Sequence, residues 1–198
     1  ERLVSEVSVP LSIDTYKSEV ARRGLEAGAT MINDQWGLKK DPHLAELAAA
    51  RGVPVILMSN QRDKGSYDAK IQRDTAHYVD LMPEMISSLR TSLTLALRLG
   101  VLRENIILDP GLGFGKTWQQ DLEVIRRLKE LKELGRPILI GPSRKSLIAQ
   151  VLKLPVNARV EGTAATVAIG ITRGADIVRV HDVQQIARVC RMSDAIVR

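Results

Sequence analysis

One phrase recurs along the chain and limits its folds more than any other feature. A short apolar run rich in β-branched residues is followed by polar residues and then by a helical pattern. The runs cover residues 9–15, 30–34, 53–59, 105–109, 137–141 and 177–183. Continuous apolar runs of this length suit parallel strands buried on both faces. Between them, residues 16–27, 42–51, 75–99, 119–134, 162–173 and 183–197 carry apolar side chains at three- and four-residue spacing, as in Leu122, Ile125, Leu128 and Leu131. Gly28, Gly52, Gly100, Gly135 and Gly174 stand where helices of this kind end.

Strict alternation of strand and helix predicts a parallel α/β architecture. Either an open doubly wound sheet or a closed barrel would satisfy it. A doubly wound sheet concentrates its binding groups at one switch point, whereas a barrel draws them from many strand ends. Here all six strands end in polar side chains: Asp14 and Thr15, Asn33 and Asp34, Ser59 and Asn60, Asp109, Ser143 to Lys145, and Arg179 with His181 and Asp182. That convergence favours the barrel. A complete barrel has eight strands in about 250 residues. This chain has 198 residues and six such units, so the expected architecture is a (β/α)8-type barrel with six of its eight units. The chain is read as a single domain over 1–198, incomplete at its N-terminal side. Residues 60–74 are polar and contain glycine, as expected of a mobile loop.

Composition excludes several classes. Cys190 is the single cysteine, which rules out a disulfide framework or a cysteine-rich zinc module. No apolar run approaches the ~18 residues of a membrane helix, and the Glu1-Arg2-Leu3 start carries no apolar signal core. A cytoplasmic protein is expected. The net charge of +6 is spread among acids, as at Arg126-Arg127-Leu128-Lys129-Glu130, and aromatics make up only 3%. Stacking platforms for nucleic acid are therefore scarce. An anionic small substrate accounts for the surplus charge equally well, and no nucleic-acid partner is expected.

Three constellations suggest chemistry. The first is the run from Asp109-Pro110-Gly111 to Gly113-Phe114-Gly115-Lys116-Thr117. It fits neither the P-loop template nor G-x-G-x-x-G. It reads as a glycine-rich turn that brings Asp109, backbone and Phe114 to a ligand. In the second, Asp14, Asn33 and Asp109 end three successive strands. A carboxylate there can take two N–H groups from a guanidine-like heterocycle edge such as a pterin or purine. Helix capping is the plainer alternative for Asp14 and Asn33. The third is Gly141-Pro142-Ser143-Arg144-Lys145-Ser146, where Ser143 can cap the following helix and Lys145 adds a cation. Arg179 and His181, two apart on one strand, are expected to share an inward face as an anion clamp. No nucleophilic triad and no H-x-x-x-H metal spacing is present.

Taken together, Ser12-Ile13-Asp14-Thr15, Ile32-Asn33-Asp34, the Ile107–Thr117 loop, Ser143-Arg144-Lys145-Ser146, Glu161-Gly162-Thr163-Ala164-Ala165-Thr166 and Arg179-Val180-His181-Asp182-Val183 resemble the dihydropteroate synthase family, in its order. The resemblance implies a barrel enzyme of folate biosynthesis and a sulfonamide target. Such an enzyme joins 6-hydroxymethyl-7,8-dihydropterin pyrophosphate to p-aminobenzoate, releasing pyrophosphate and 7,8-dihydropteroate. It implies that Asp14, Asn33, Asp109 and Lys145 hold the pterin and that Met58, Phe114 and Gly141 wall the pocket. By the same resemblance Arg179 covers the pterin face and, with His181, holds the pyrophosphate, while Ser146 meets the p-aminobenzoate carboxylate. Asp14, Asp109, Lys145, Arg179 and His181 carry the catalysis. Mg2+ is expected with the pyrophosphate, its ligands unassigned, and a homodimer is expected. The family's first two units, with their Asn-Val-Thr-Pro-Asp-Ser-Phe-like and Thr-Arg-Pro-Gly-like loops, have no counterpart here, and Ser59 stands where the family often has His. The expectation is a chain that binds pterin and by itself turns over little. Two alternatives are a pterin-dependent methyltransferase, which should lack the Ser-Arg-Lys-Ser and Arg-Val-His-Asp segments, and a non-catalytic pterin-binding fragment.

Overall fold

The computed structural model describes residues 2–60 and 80–198. The chain divides into two compact units, one of residues 1–59 and 86–109, the other of 60–85 and 110–198. The first holds α1 (Arg2–Glu6), β1 (Ser12–Asp14), α2 (Ser18–Glu26), β2 (Met31–Asp34), α3 (His43–Arg51), β3 (Val55–Met58) and β4 (Ile106–Asp109). Helix α4 (Leu81–Arg98) draws on both ranges, and buries Met82, Met85, Leu89, Leu93 and Ala96 as one stripe.

The four strands pair in sequence order, all parallel. Ile13, Ile32, Val55 and Ile106 lie in one row across the sheet, and Asp34, Leu57 and Leu108 in the next row on the same face. The opposite face takes the alternate positions: Asp14, Asn33, Ile56 and Ile107, then Met58 beside Asp109. Strands β3 and β4 are buried throughout, as the unbroken apolar runs require.

The second unit holds α5 (Trp118–Arg126), β5 (Leu139–Ile140), α6 (Ser146–Leu152), α7 (Val160–Thr172), β6 (Ile177–Val178) and α8 (Val183–Val197). Strands β5 and β6 pair in parallel. Val167, Ile171 and Ile186 pack α7 on α8, with Val178, Val189 and Cys190 around them. A side-chain carbon on Gly170 would fall 2.4 Å from Ile140 Cδ1, so this glycine lets α7 lie directly on β5.

Three expectations need correction. The helix read over 119–134 is α5 followed by a 3₁₀ helix, Leu128–Leu134. Leu128, Leu131 and Leu134 are three apart and all buried, and a turn of three residues stacks them on one line. The strand read over 177–183 is only two residues long. The Arg179 N–H still reaches the Ile140 carbonyl at 2.9 Å, and beyond it the chain turns into α8. The strand read over 9–15 begins only at Ser12, after Pro10, which lacks an N–H for the ladder. The loop read over 60–74 and the start of the helix read over 75–99 lie outside the described residues. All five helix-ending glycines have positive φ, from 60° at Gly52 to 104° at Gly28. No helix among the described residues is long and apolar enough to cross a membrane.

Candidate active site

In the first unit the strand ends bring Asp14, Asn33, Met58 and Asp109 to one face of the sheet. Asp14 accepts hydrogen bonds from Asn33 Nδ2 at 3.0 Å and Gln35 Nε2 at 2.9 Å. Neither Asp14 nor Asn33 is the N-cap residue of the helix that follows it: those are Lys17 for α2 and Pro42 for α3. Asn33, Met58 and Asp109 are buried, but Asp14 is exposed, so the cost of a buried carboxylate applies to Asp109 and not to Asp14. Asp34, on the opposite face, accepts the N–H groups of Trp36 and Leu38 and so shapes the turn after β2. Burial raises its pKa, against those two hydrogen bonds.

In the second unit a glycine-rich loop precedes α5. Thr117 and Gln120 cap that helix reciprocally. Both oxygens of Asp121 accept the Gly113 N–H. Lys145 Nζ donates to the Leu112 carbonyl and stands 4.7 Å from the centre of the Phe114 ring. A side-chain carbon on Gly141 would lie 3.9 Å from Arg179 Cβ and 3.9 Å from Lys145 Nζ. Gly141, Phe114, Lys145 and Arg179 therefore converge. Ser146 opens α6 and is half-buried.

His181 is held by Ser143, whose Oγ accepts the His181 N–H at 3.1 Å and meets its Nδ1 at 2.9 Å. Ser143 does not cap α6 as expected, since Lys145 occupies that position without a side-chain cap. Nor do Arg179 and His181 share a strand face. The strand has ended, both residues are exposed, and Ser143 rather than strand alternation places the imidazole. With Arg179 exposed, the expected inward-facing clamp does not form on the strand.

Between Ser143 and Lys145, Arg144 adopts a left-handed conformation, φ 58°. Its N–H donates to Thr163 Oγ1, its Nε reaches Asp182 at 3.0 Å, and its carbonyl accepts Arg159 Nη1 at 2.8 Å. The Arg144 guanidinium holds the Asp182 carboxyl below its usual range. The Thr163 segment, a motif with no evident chemistry in the sequence, thus clamps the turn that presents Lys145.

Sequence reasoning missed Gln35, Asp121, Lys116 and Arg144. Thr117 and Gln120 at capping-box spacing offered a signal for the start of α5. Asp121 had none, because an acid in a first helical turn is ordinarily a solvated one. Among the described residues no group of three or more His, Cys, Asp or Glu side chains gathers to hold a metal. Both Asp14 oxygens accept amide N–H groups, from Asn33 and Gln35.

Parallel strands with polar groups at their C-terminal ends are the arrangement in which α/β proteins take a ligand on that side. The model of the pterin binding enzyme family matches residues 1–181, and the chain belongs to that family. It is 48% identical to the dihydropteroate synthase of Bacillus subtilis over 98% of its own length and 64% of that protein's. Among solved structures, dihydropteroate synthase from Clostridium difficile, determined in the presence of pteroic acid, matches with TM-score 0.89 and 46% identity. That match covers 100% of this chain and 71% of the other. The enzyme from Xanthomonas albilineans with 4-aminobenzoic acid matches with TM-score 0.89 and 34% identity, covering 98% and 67%. The fold class is thus the barrel read from the sequence, and this chain spans about two thirds of the length of such relatives.

Proposed function

We propose that the chain acts as a dihydropteroate synthase of folate biosynthesis and binds a pterin through Asp14, Asn33, Asp109 and Lys145. The observation that carries this reading is the shared sheet face of Asp14, Asn33, Met58 and Asp109. It offers hydrogen-bond acceptors and an apolar neighbour to the N–H edge of a flat heterocycle. Met58, Phe114 and Gly141 are the walls. Arg179 and His181 take the pyrophosphate, and their exposure suits a ligand that arrives from solvent as an anion. Ser146 meets the carboxylate of p-aminobenzoate.

In the proposed reaction the bond from the pterin methylene to pyrophosphate breaks and its electrons leave with the pyrophosphate. The arylamine nitrogen then forms the new C–N bond and loses a proton. No protein nucleophile is needed. Asp14 and Asp109 offset positive charge on the pterin, and Arg179 and His181 stabilise the leaving group. Mg2+ enters with the pyrophosphate as part of the substrate, in keeping with its habit of binding phosphate oxygens and water beside few carboxylates. Sulfonamide sensitivity, a homodimer and a cytoplasmic location belong to the same reading.

Asp109→Asn tests it. One acceptor becomes a donor facing a donor, so pterin affinity by calorimetry should fall by about 2 kcal/mol or more, with the circular dichroism unchanged. Equal affinity in the two proteins would place the ligand elsewhere.

A further inference from the structure

Asp121 is a fully buried carboxylate that the proposed reaction leaves unused. Its two oxygens lie 2.9 and 3.0 Å from the Gly113 nitrogen. Burial raises its pKa to about 6, while Lys116, the Gly113 N–H and Lys145 act to lower it. A buried carboxylate is costly unless it is held by donors and cations, and among the described residues these fill that role.

The contacts form a chain. Gly113 sits at φ 76°, and a side-chain carbon on it would approach Lys145 Cδ to 3.2 Å. The Lys145 side chain therefore runs directly across Gly113. Its ammonium donates to the carbonyl of Leu112 and faces the ring of Phe114. Residues 112–114 are the seat of Lys145, and Asp121 holds the middle one.

The geometry points to Asp121 as a positioning residue: it fixes the loop that seats the Lys145 ammonium and supplies the negative charge of that seat. Among the described residues, the charged groups that bear on Asp121 are Lys116 within the loop and Lys145 ahead of α6. The pterin part of this inference rests on the reading that Lys145 meets the pterin; the seating of Lys145 does not.

The test uses the 198-residue chain with 13C-labelled lysine, the Lys145 Cε signal being assigned by its loss in Lys145→Arg. Asp121→Asn keeps the shape and one acceptor but removes the charge; Asp121→Ala removes both. In either variant Lys145 should titrate at lower pH than in wild type, while Lys132, paired with Asp176, should not move. In Asp121→Ala the Gly113 amide should also exchange faster, and affinity for 6-hydroxymethylpterin should fall roughly tenfold, about the worth of one charge-assisted hydrogen bond. Asp121→Asn should recover part of that affinity. An unchanged Lys145 titration in Asp121→Asn overturns the inference, and this variant decides it even if Asp121→Ala does not fold. If wild type fails to bind the pterin, the functional reading falls, while the lysine titration still judges Asp121.

Discussion

At the scale of single residues, two carboxylates only twelve positions apart in sequence have opposite fates. Asp109 ends a strand and is buried, and its place was legible because a strand-end acid followed by Pro110 and Gly111 begins no helix. Asp121 stands in the first turn of a helix, where an acid is ordinarily solvated, and is buried. Its pKa of about 6, against an ordinary 3.8, means the folded state holds that proton more tightly than the unfolded chain. The associated stability is full below about pH 4 and is lost as pH rises to about 6. Wild type should therefore lose up to about 3 kcal/mol relative to Asp121→Asn across that interval. Denaturant titrations at several pH values check this; parallel stability curves for the two proteins would refute it. Residue type and spacing single out Arg179 and His181 in the sequence but do not foretell their placement. Strand alternation cannot foresee that Ser143, 38 residues before His181, takes hold of its backbone and ring.

At the scale of elements, the periodicities carried far. All six strand runs contain strands, and α8 spans the residues its pattern predicted. What spacing could not show is how the ends are tied. One example is Asp41, whose oxygens accept the first N–H of α2, at Ser18, and the first of α3, at His43. Partial burial raises its pKa, but the hydrogen bonds from Ser18 and His43 outweigh that and leave it lowered. Neither helix has a side-chain cap from its own N-cap residue, so one carboxylate serves both. Asp41→Ala should cost about 1–3 kcal/mol, the sum of two ordinary caps. Because the folded pKa is depressed, the contribution is present above about pH 4 and disappears as pH falls through the folded value, so variant and wild type should converge in acid. A thermal melt at neutral pH that does not separate them would show that the caps carry no weight.

At the scale of the whole molecule, the count of strand–helix units was the most informative number in the sequence. Six units, where the fold class has eight, agree with a chain that spans 64% of its Bacillus subtilis relative. The residues assigned to the pterin all lie on units that are present. A protein of these 198 residues should bind pterin yet form dihydropteroate more slowly than a version extended by roughly 70 N-terminal residues, the length of two barrel units. Product assays on the two proteins decide it, and equal turnover would mean that six units suffice or that association completes the site.

The turn at Arg144 has a consequence of a different kind. A non-glycine residue held left-handed costs about 1–2 kcal/mol, which a glycine at that position would relieve. Glycine would also delete the guanidinium that meets Asp182, next to the imidazole that Ser143 holds. Relief of the backbone and loss of that ion pair thus act on stability in opposite directions, so Arg144→Gly trades one contribution against the other rather than simply relaxing the turn.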